Sequence, residues 1–361
     1  MTVTMIVMTS LLASRPIRKV AHLIATPLVP QDFIDLINPL SSERDLRGRI
    51  EAMHPETPDA ATVRIRVART WRGHVAGQHV RLGVDVDGVR QWRTYSITSP
   101  TDDAKTITIT VKTVPGGVVS NYLAHQAKVG TLVHLDQAAG EFTLPSRIPD
   151  KVLFVTAGSG ITPVMGMLRT YAGRLGDVVL VHSAPTGDDV VFGAEIRALA
   201  QTGELRLIER HTGSQSRVTG ELLDELVPDW AERQAWACGP AQLLDHLESH
   251  YADRGVGDQL NTERFTAPIV PTGEGGPVTF TRTGVEVETD STTTLLAAGE
   301  QAGVLMPSGC RMGVCFGCVV PLRNGAVRDI RNGHITTGAP GDGVLVQTCI
   351  SAVTGTCEID V

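Results

Sequence analysis

At 361 residues the chain exceeds what one hydrophobic core usually supports, so we expect two or three domains. Its composition, 42% hydrophobic and 20% charged, is that of an ordinary globular protein. The formal net charge of −7 lacks the basic excess of nucleic-acid-binding proteins and argues against that class of partner.

Residues 1–44 form a leader ahead of the first predicted domain. Its apolar run at residues 4–13 is too short to span a bilayer, and basic residues follow it, whereas they precede the apolar run of a secretory signal. We therefore expect a cytoplasmic protein, with its six cysteines in a reducing compartment. Residues 16–28 (PIRKVAHLIATPL) are basic and amphipathic, which fits either peripheral contact with the inner face of the membrane or packing along the first domain.

Residues 45–148 are predicted to form an antiparallel β-barrel. Short runs alternate apolar and polar residues and are rich in β-branched types: 62–68, 79–86, 93–99 and 106–114. Asp87-Gly88 is a hairpin signal between the second and third runs. Closely spaced strands with few intervening helices favour a small barrel.

The third run contains Arg93-Thr94-Tyr95-Ser96, a candidate flavin site. Strand alternation sends Arg93 and Tyr95 to one face and Ser96 to the other. An arginine can pair with a phosphate, and a flat ring and a hydroxyl can lie beside a flavin ring and its reactive nitrogen. Four residues alone are a weak signal, because Arg and Tyr are common on strands.

A glycine-rich turn strengthens this interpretation. Gly116, Gly117 and Ser120 open a helical stretch at residues 120–127, where backbone amides and a hydroxyl can bind a pyrophosphate. The alternative is an ordinary turn in which Ser120 is the N-cap.

Residues 149–265 alternate strand-like and helical runs, which predicts a doubly wound parallel sheet. Helices are predicted at 164–174, 192–200, 220–227 and 241–251. A glycine turn directly after the first strand is the phosphate-binding position of such sheets, and the residues predicted to bind a dinucleotide there are Thr156, Gly158, Gly160 and Thr162.

A second candidate site in this module is Cys238-Gly239-Pro240, at the carboxyl end of a later strand. That position borders the ligand crevice, where the uncharged side chain of Cys238 suits hydride transfer beside a nicotinamide. The alternative is a buried cysteine at a tight turn.

Residues 266–276 are rich in Pro and Gly and are predicted to link to a third module at residues 277–361. Its cysteines follow the pattern C-x4-C-x2-C with one distant partner: Cys310, Cys315, Cys318 and Cys349. This is the plant-type [2Fe–2S] spacing. A zinc site or plain buried thiols are the alternatives, although zinc sites usually repeat the C-x2-C pair.

In this order the motifs resemble those of the ferredoxin–NADP(+) reductase superfamily, specifically members with a C-terminal plant-type ferredoxin domain. RTYS is similar to the flavin motif R-x-[YF]-[ST], GGVVS to the flavin-phosphate loop, and TAGSGITP and CGP to two nicotinamide-nucleotide motifs. The leader and two further stretches, HSAPTGDDVVFGAE and VPDWAERQAWACGP, are similar to actinobacterial NADPH oxidoreductases that serve stearoyl-CoA desaturase.

The resemblance implies a β-grasp fold for the last module and FAD as the flavin, with FMN as the less favoured alternative because phthalate-type reductases use it. It implies that RTYS contacts the flavin and that GGVVS contacts its phosphates. Cys238 would then lie where the hydride is transferred. Glu263-Arg264-Phe265 resembles a Glu-x-Phe element, which implies that Phe265 covers the flavin ring and Glu263 handles protons; a closing strand with one buried aromatic is the alternative.

One departure concerns the nicotinamide nucleotide. Relatives that prefer NADP often carry Ser-Arg after the second strand, but here Ser183 is followed by Ala184. No acidic residue typical of an NAD site stands there either. The closer resemblance implies NADPH, whereas the local chemistry leaves NADH open. The candidates for the positive charge that would pair with the 2′-phosphate are Arg169, Arg197 and Arg210.

The resemblance finally implies an electron path from NADPH through FAD and the cluster to an acceptor protein. A membrane-bound fatty-acyl desaturase is the expected acceptor. In one alternative this protein is the reductase component of a soluble monooxygenase or ring-hydroxylating dioxygenase. In another it is a redox sensor without a hydride route.

Overall fold

The structure, a computed structural model, describes residues 38–361 except 43–44, 87–88, 266–274 and 314. Most of the predicted leader, the Asp87-Gly88 turn and most of the predicted linker therefore lie outside the described residues. No helix in the described part of the chain is long and apolar enough to cross a membrane.

The first domain is an antiparallel sheet that closes on itself. Its strand order is β4-β3-β6-β1-β2-β5, and a bridge between Ile97 and Ile109 joins the two outer strands. Alternating residues such as Ile65, Leu82 and Ile107 fill the interior and are fully buried. A short helix begins two residues before its predicted start and continues as a π-helix, Tyr122–Gln126. The elements are β1 (Arg47–Thr57), β2 (Ala60–Val67), β3 (His79–Val86), β4 (Val89–Ser96), β5 (Thr106–Lys112), α1 (Val118–Asn121) and β6 (Leu132–Leu135).

The second domain is a five-stranded parallel sheet in the order β11-β10-β7-β8-β9. The order reverses between β7 and β10, which opens a ligand crevice at their carboxyl ends. Helix α2 begins and ends earlier than predicted, because it follows the Gly158–Gly160 turn directly and Pro163 fits its first turn. The elements are β7 (Lys151–Ala157), α2 (Ile161–Thr170), β8 (Asp177–Ala184), α3 (Gly193–Gln201), β9 (Arg206–His211), α4 (Gly220–Leu226), β10 (Gln234–Cys238), α5 (Ala241–Asp253) and β11 (Leu260–Glu263).

The third domain packs one helix on a mixed sheet in the order β13-β12-β17-β14-β15, with β16 paired to β14. Thr294 caps the helix by accepting a hydrogen bond from the Ala297 amide. Cys357 is buried in the terminal strand opposite Val278 and has a structural role. The elements are β12 (Gly276–Phe280), β13 (Val285–Thr289), α6 (Leu295–Gln301), β14 (Val319–Asp329), β15 (Ile335–Gly338), β16 (Leu345–Gln347) and β17 (Ser351–Ile359).

The barrel and the parallel-sheet domain share an apolar contact. Phe142 and Leu144, which follow β6, belong to the same core cluster as Phe154 and Trp236. The Arg169 guanidinium spans the boundary and donates to the Thr98 carbonyl at 2.7 Å. These contacts bring the end of β4 close to the crevice of the parallel sheet.

Candidate redox site

The RTYS strand presents two unpaired hydroxyls on one face. In the β3–β4 register Ser96 lies opposite His79 and Thr94 opposite Arg81, whereas Arg93 belongs to the other face. Thr94 Oγ1 and Ser96 Oγ are buried and have no hydrogen-bond partner in the structure. Because buried hydroxyls in native proteins are normally paired, this face fits a ligand that carries polar atoms, as a flavin does.

Arg93 and Tyr95 lie on the opposite face of β4. The Arg93 guanidinium donates to the Trp92 carbonyl at 2.7 Å. Burial lowers its pKa, and the nearby charge of Arg311 lowers it further. Burial raises the pKa of the Tyr95 phenol, so this ring stays neutral at physiological pH.

The glycine turn after β5 is tight at Gly117. A Cβ there would lie 2.5 Å from both Val114 Cγ2 and Ser120 Oγ. Gly117 itself is the N-cap of α1, and Ser120 Oγ donates to the Gly117 carbonyl at 3.3 Å from within the first turn. Gly116 adopts φ +70°, which glycine tolerates without strain. The turn therefore has the backbone form predicted for it, but its cap is Gly117 and not Ser120.

The two predicted nicotinamide-nucleotide motifs touch each other. A Cβ at Gly160 would lie 2.0 Å from the Cys238 carbonyl oxygen, so only glycine lets the turn before α2 approach the end of β10 so closely. Thr162 Oγ1 donates to the Ser159 carbonyl at 2.9 Å and holds the turn. Thr156 Oγ1 is hydrogen-bonded to His182 Nδ1 of the neighbouring strand β8 at 2.8 Å.

Gly239 and Pro240 continue the second motif into a helix. A Cβ at Gly239 would lie 3.2 Å from Ala157 Cβ, and Pro240 is the N-cap of α5. Gly158, by contrast, borders open space in the crevice. Its φ is +55°, and an added Cβ would meet no atom within 4 Å.

Cys238 and Glu263 are neighbours at the carboxyl ends of β10 and β11. Cys238 is fully buried, and burial, followed by the Glu263 charge, raises the pKa of its thiol well above the ordinary value. The thiol is therefore uncharged at physiological pH. Glu263 Oε2 is buried without a hydrogen-bond partner.

His79 connects this corner to the barrel and was missed by the sequence analysis. Its Nδ1 lies 3.6 Å from Glu263 Oε1, and it stands opposite Ser96 in the β-ladder. Ser96, His79, Glu263 and Cys238 thus follow one another across the boundary of two domains. A lone histidine at the start of a strand gave no signal, because its partner lies in another domain.

Phe265 differs from the buried-aromatic alternative. The residue is 36% exposed, so it is not a buried aromatic. The neighbouring Arg264 is held by Asp245 and Glu248, each at 2.7 Å.

Ser183 at the end of β8 has a cation beside it. Its Oγ is buried and unpartnered, and its neighbour in the register is Arg210 of β9. Arg210 Nε is also buried and unpartnered, while Nη2 lies 3.3 Å from Ser216 Oγ. No carboxylate of the described residues pairs with Arg210.

The other two candidate arginines are engaged. Arg169 binds Glu195 through two nitrogens at 2.8 and 2.6 Å. Arg197 binds Glu209 through two nitrogens at 2.9 and 2.8 Å. Arg210 is therefore the candidate that remains available to an anion.

The four predicted cluster cysteines come together in two pairs. The Cys310 amide donates to Cys315 Sγ at 3.1 Å, and the side chains of Cys318 and Cys349 contact each other. Hydrogen bonding from Cys349, opposed by burial, lowers the pKa of the Cys318 thiol to about 6. Amides of Met312 and Gly317 also point at cysteine sulfurs, at 3.4 Å each.

The pairing distinguishes the metal-site alternatives. A structural zinc ion takes four ligands in one tetrahedron. Two pairs of thiols with amides directed at sulfur fit a [2Fe–2S] cluster, in which each iron takes two protein ligands. These four residues could hold such a cluster.

Comparison with known proteins agrees with this geometry. Family models of an oxidoreductase FAD-binding domain, an oxidoreductase NAD-binding domain and a 2Fe-2S iron-sulfur cluster binding domain match residues 48–144, 154–249 and 278–354. An NADPH oxidoreductase of Mycobacterium tuberculosis (strain ATCC 25618 / H37Rv) is 46% identical over 353 residues, which cover 96% of this chain and 92% of that protein. The chain belongs to the ferredoxin–NADP(+) reductase superfamily.

Two further proteins are similar to this chain, one in sequence and one in fold. The glycine betaine monooxygenase reductase subunit of Pseudomonas aeruginosa (strain UCBPP-PA14) is 31% identical over 305 residues, 76% of this chain and 83% of that protein. The solved structure of phthalate dioxygenase reductase matches with a TM-score of 0.62 at 20% identity, over 87% of this chain and 97% of that one, and shows the fold. The predicted fold classes of all three domains and the FAD, nicotinamide-nucleotide and [2Fe–2S] cofactors are confirmed. The protein is a ferredoxin reductase-type NAD(P)H oxidoreductase.

Proposed function

We propose that this reductase takes its electrons from NADPH and delivers them to a membrane-embedded fatty-acyl desaturase of the stearoyl-CoA Δ9 type. Its general activity is electron transfer from NAD(P)H through FAD and a [2Fe–2S] cluster, as in reductases of oxygenase systems. The observation that carries the hydride step is the sequence of contacts Ser96–His79–Glu263–Cys238, which joins the flavin strand to the nucleotide crevice.

We assign the following roles to the residues of this corner. When bound, the flavin accepts a hydride and releases its electrons singly, which a one-electron cluster requires. Ser96 Oγ offers a hydrogen bond toward the flavin, and the neutral Cys238 thiol packs beside the nicotinamide without adding charge. Glu263 serves proton traffic at the boundary of the two domains, and His79, whose Nδ1 lies 3.6 Å from Glu263 Oε1, positions its carboxylate.

Further cofactor contacts complete the assignment. Arg93 would face the flavin phosphates together with the amides of Gly116 and Gly117, and Tyr95 would lie beside the flavin ring. Thr156, Gly158, Gly160 and Thr162 would form the nucleotide turn, Gly239 and Pro240 would border it, and Phe265 would cover the flavin. The cluster ligands would be Cys310, Cys315, Cys318 and Cys349.

Preference for NADPH rests on Ser183 and Arg210. Both present buried polar atoms without partners at neighbouring strand ends, where the ribose of a dinucleotide lies in such sheets. A 2′-phosphate would satisfy both groups, and the guanidinium would neutralise its charge.

Kinetics of the Arg210→Gln variant test this preference. We expect its KM for NADPH to rise about tenfold, the effect of one charge-assisted hydrogen bond, with the KM for NADH unchanged. Arg206→Gln is the matched control, because Arg206 lies at the opposite end of the same strand and binds the Leu226 carbonyl. Equal losses with both nucleotides would contradict the proposal.

The acceptor proposal is supported by the similarity to the mycobacterial NADPH oxidoreductase and by the basic leader, whose residues 1–37 lie outside the described part of the chain. A soluble oxygenase is the second candidate, because the betaine monooxygenase reductase subunit shares 31% identity with this chain. Membranes that contain a fatty-acyl desaturase, and a purified soluble monooxygenase, are each supplied with this protein and NADPH. Product formation only with the monooxygenase would refute the desaturase proposal.

The leader itself is proposed to contact the inner face of the membrane. A variant lacking residues 1–40 should keep NADPH-dependent reduction of ferricyanide but lose binding to anionic lipid vesicles and part of the desaturase turnover. Unchanged vesicle binding and unchanged desaturase turnover would contradict this role.

A further inference from the structure

Arg81 lies where the barrel meets the ferredoxin domain. It stands on β3 opposite Thr94 of the proposed flavin site, two residues or about 7 Å along the strand from His79, the partner of Ser96. Its Nη1 donates to Asp136 Oδ2 at 2.7 Å, and its guanidinium carbon lies 4.9 Å from the centroid of the Trp92 ring. These two contacts fix the direction of the guanidinium.

Nη2 of Arg81 faces the cysteine loop of the ferredoxin domain. A Cβ at Gly309 would lie 3.2 Å from Arg81 Nη2 and 2.4 Å from Cys315 Sγ. The guanidinium and that thiol are thus no farther apart than the sum of these two distances. Gly309 and Cys310 are buried, whereas Phe316 on the same loop is 67% exposed. The loop therefore has one side against the barrel and one side open.

A second arginine, Arg311 of the cysteine loop, lies near enough to the barrel for its charge to act there. Arg311 follows Cys310 in the chain. The pKa of the Arg93 guanidinium in the barrel is lowered mainly by burial and further by the charge of Arg311. Glu300 holds Arg311 through both carboxylate oxygens, one of them at 2.8 Å, and offsets its charge. Arg81 is also paired, with Asp136, but its Nη2 edge faces the cysteine loop and brings positive charge there.

We propose that Arg81 is a positioning residue for electron transfer between flavin and cluster. It holds the Gly309 side of the loop against β3 and places a positive charge beside the cysteine sulfurs. The inference rests on the proposed function, because it presumes an internal path from flavin to cluster. Each transfer moves one electron and no atom, so Arg81 acts through distance and charge, not through a bond.

The charge has a defined effect on the cluster. Four thiolates give a [2Fe–2S] site a net negative charge, and reduction adds one more. A fixed guanidinium nearby favours the more negative form, so Arg81 raises the reduction potential of the cluster.

Arg81→Gln and Arg81→Lys separate the effect of shape from the effect of charge. The full-length holoprotein is mixed with NADPH in anaerobic stopped flow, and the midpoint potential of the cluster is measured by titration with electron paramagnetic resonance detection. In Arg81→Gln we expect flavin reduction at the wild-type rate, cluster reduction about tenfold slower through loss of one charge-assisted contact, and a more negative potential. In Arg81→Lys the potential should stay near that of the wild type while cluster reduction is slowed.

The control is Arg90→Gln, since Arg90 of β4 pairs with Asp85 at 2.8 Å on the exposed surface. If Arg81→Gln does not fold, Asp136→Asn releases the guanidinium without removing it and should also slow cluster reduction. Wild-type rates and potentials in whichever of these two variants folds would overturn the inference. No flavin bleaching in the wild-type protein would overturn the proposed function itself, and this inference with it.

Discussion

Replacing Gly160 by alanine tests the contact between the two nucleotide motifs. The added Cβ would lie 2.0 Å from the Cys238 carbonyl oxygen and 2.9 Å from the Gly239 amide nitrogen, closer than real Cβ contacts allow. Overpacking typically costs about 1–3 kcal/mol, and because the obstacle is backbone on both sides we expect the upper end, about 3 kcal/mol. For a domain of this size, that lowers the Tm by about 10 °C.

The assay combines differential scanning calorimetry with the rate of flavin reduction by NADPH. A turn displaced by 1 Å should slow that rate by about 100-fold, because the nicotinamide then sits in the wrong place. Gly173→Ala is the control: its φ of +66° costs alanine some strain, but its Cβ would meet no atom within 4 Å. If Gly160→Ala matches Gly173→Ala in Tm and in rate, the contact does not set the geometry of the site.

Three further predictions concern stability, the cluster and the domain boundary. Hydrogen bonds from Arg233 lower the pKa of Asp229 to about 2 from its ordinary 3.8, so their stabilisation is present above pH 3.8 and lost as the pH falls toward 2. The Tm difference between wild type and Asp229→Asn should accordingly shrink over that range, and a constant difference would contradict it. Cys318→Ser should remove the cluster absorption bands while NADPH still bleaches the flavin; retained bands would rule out its role as a ligand. Arg169→Met removes the bond to the Thr98 carbonyl together with the two bonds to Glu195 and should lower stability by about 1–3 kcal/mol and slow flavin reduction, whereas unchanged values of both would show that these bonds are dispensable.

Sequence patterns predicted the features that are local in the chain. The cysteine spacing, the glycine turn at Gly158–Gly160 and the alternation in β2 to β5 each lie within a few residues, so backbone geometry alone constrains them. The order of the three domains followed from the same local signals. Helix α2 was misplaced by three to four residues, because the apolar pattern does not show where the preceding turn ends.

Contacts between distant segments could not be predicted. His79 meets Glu263, and Arg81 meets Gly309, only because separate domains pack together. Arg210 stands beside Ser183 because of the register of two parallel strands, which no sequence motif specifies. All three contacts join segments that lie far apart in the sequence.

We propose that electrons from NADPH reach the cluster singly through the flavin of the same chain, to which NADPH transfers a hydride. An anaerobic titration of the purified protein with NADPH, followed in the visible spectrum, tests it most directly. We expect bleaching of the flavin bands followed by loss of the cluster bands, with NADH less effective. Flavin bleaching without cluster reduction would contradict the internal path, and absence of any bleaching would contradict the oxidoreductase assignment altogether.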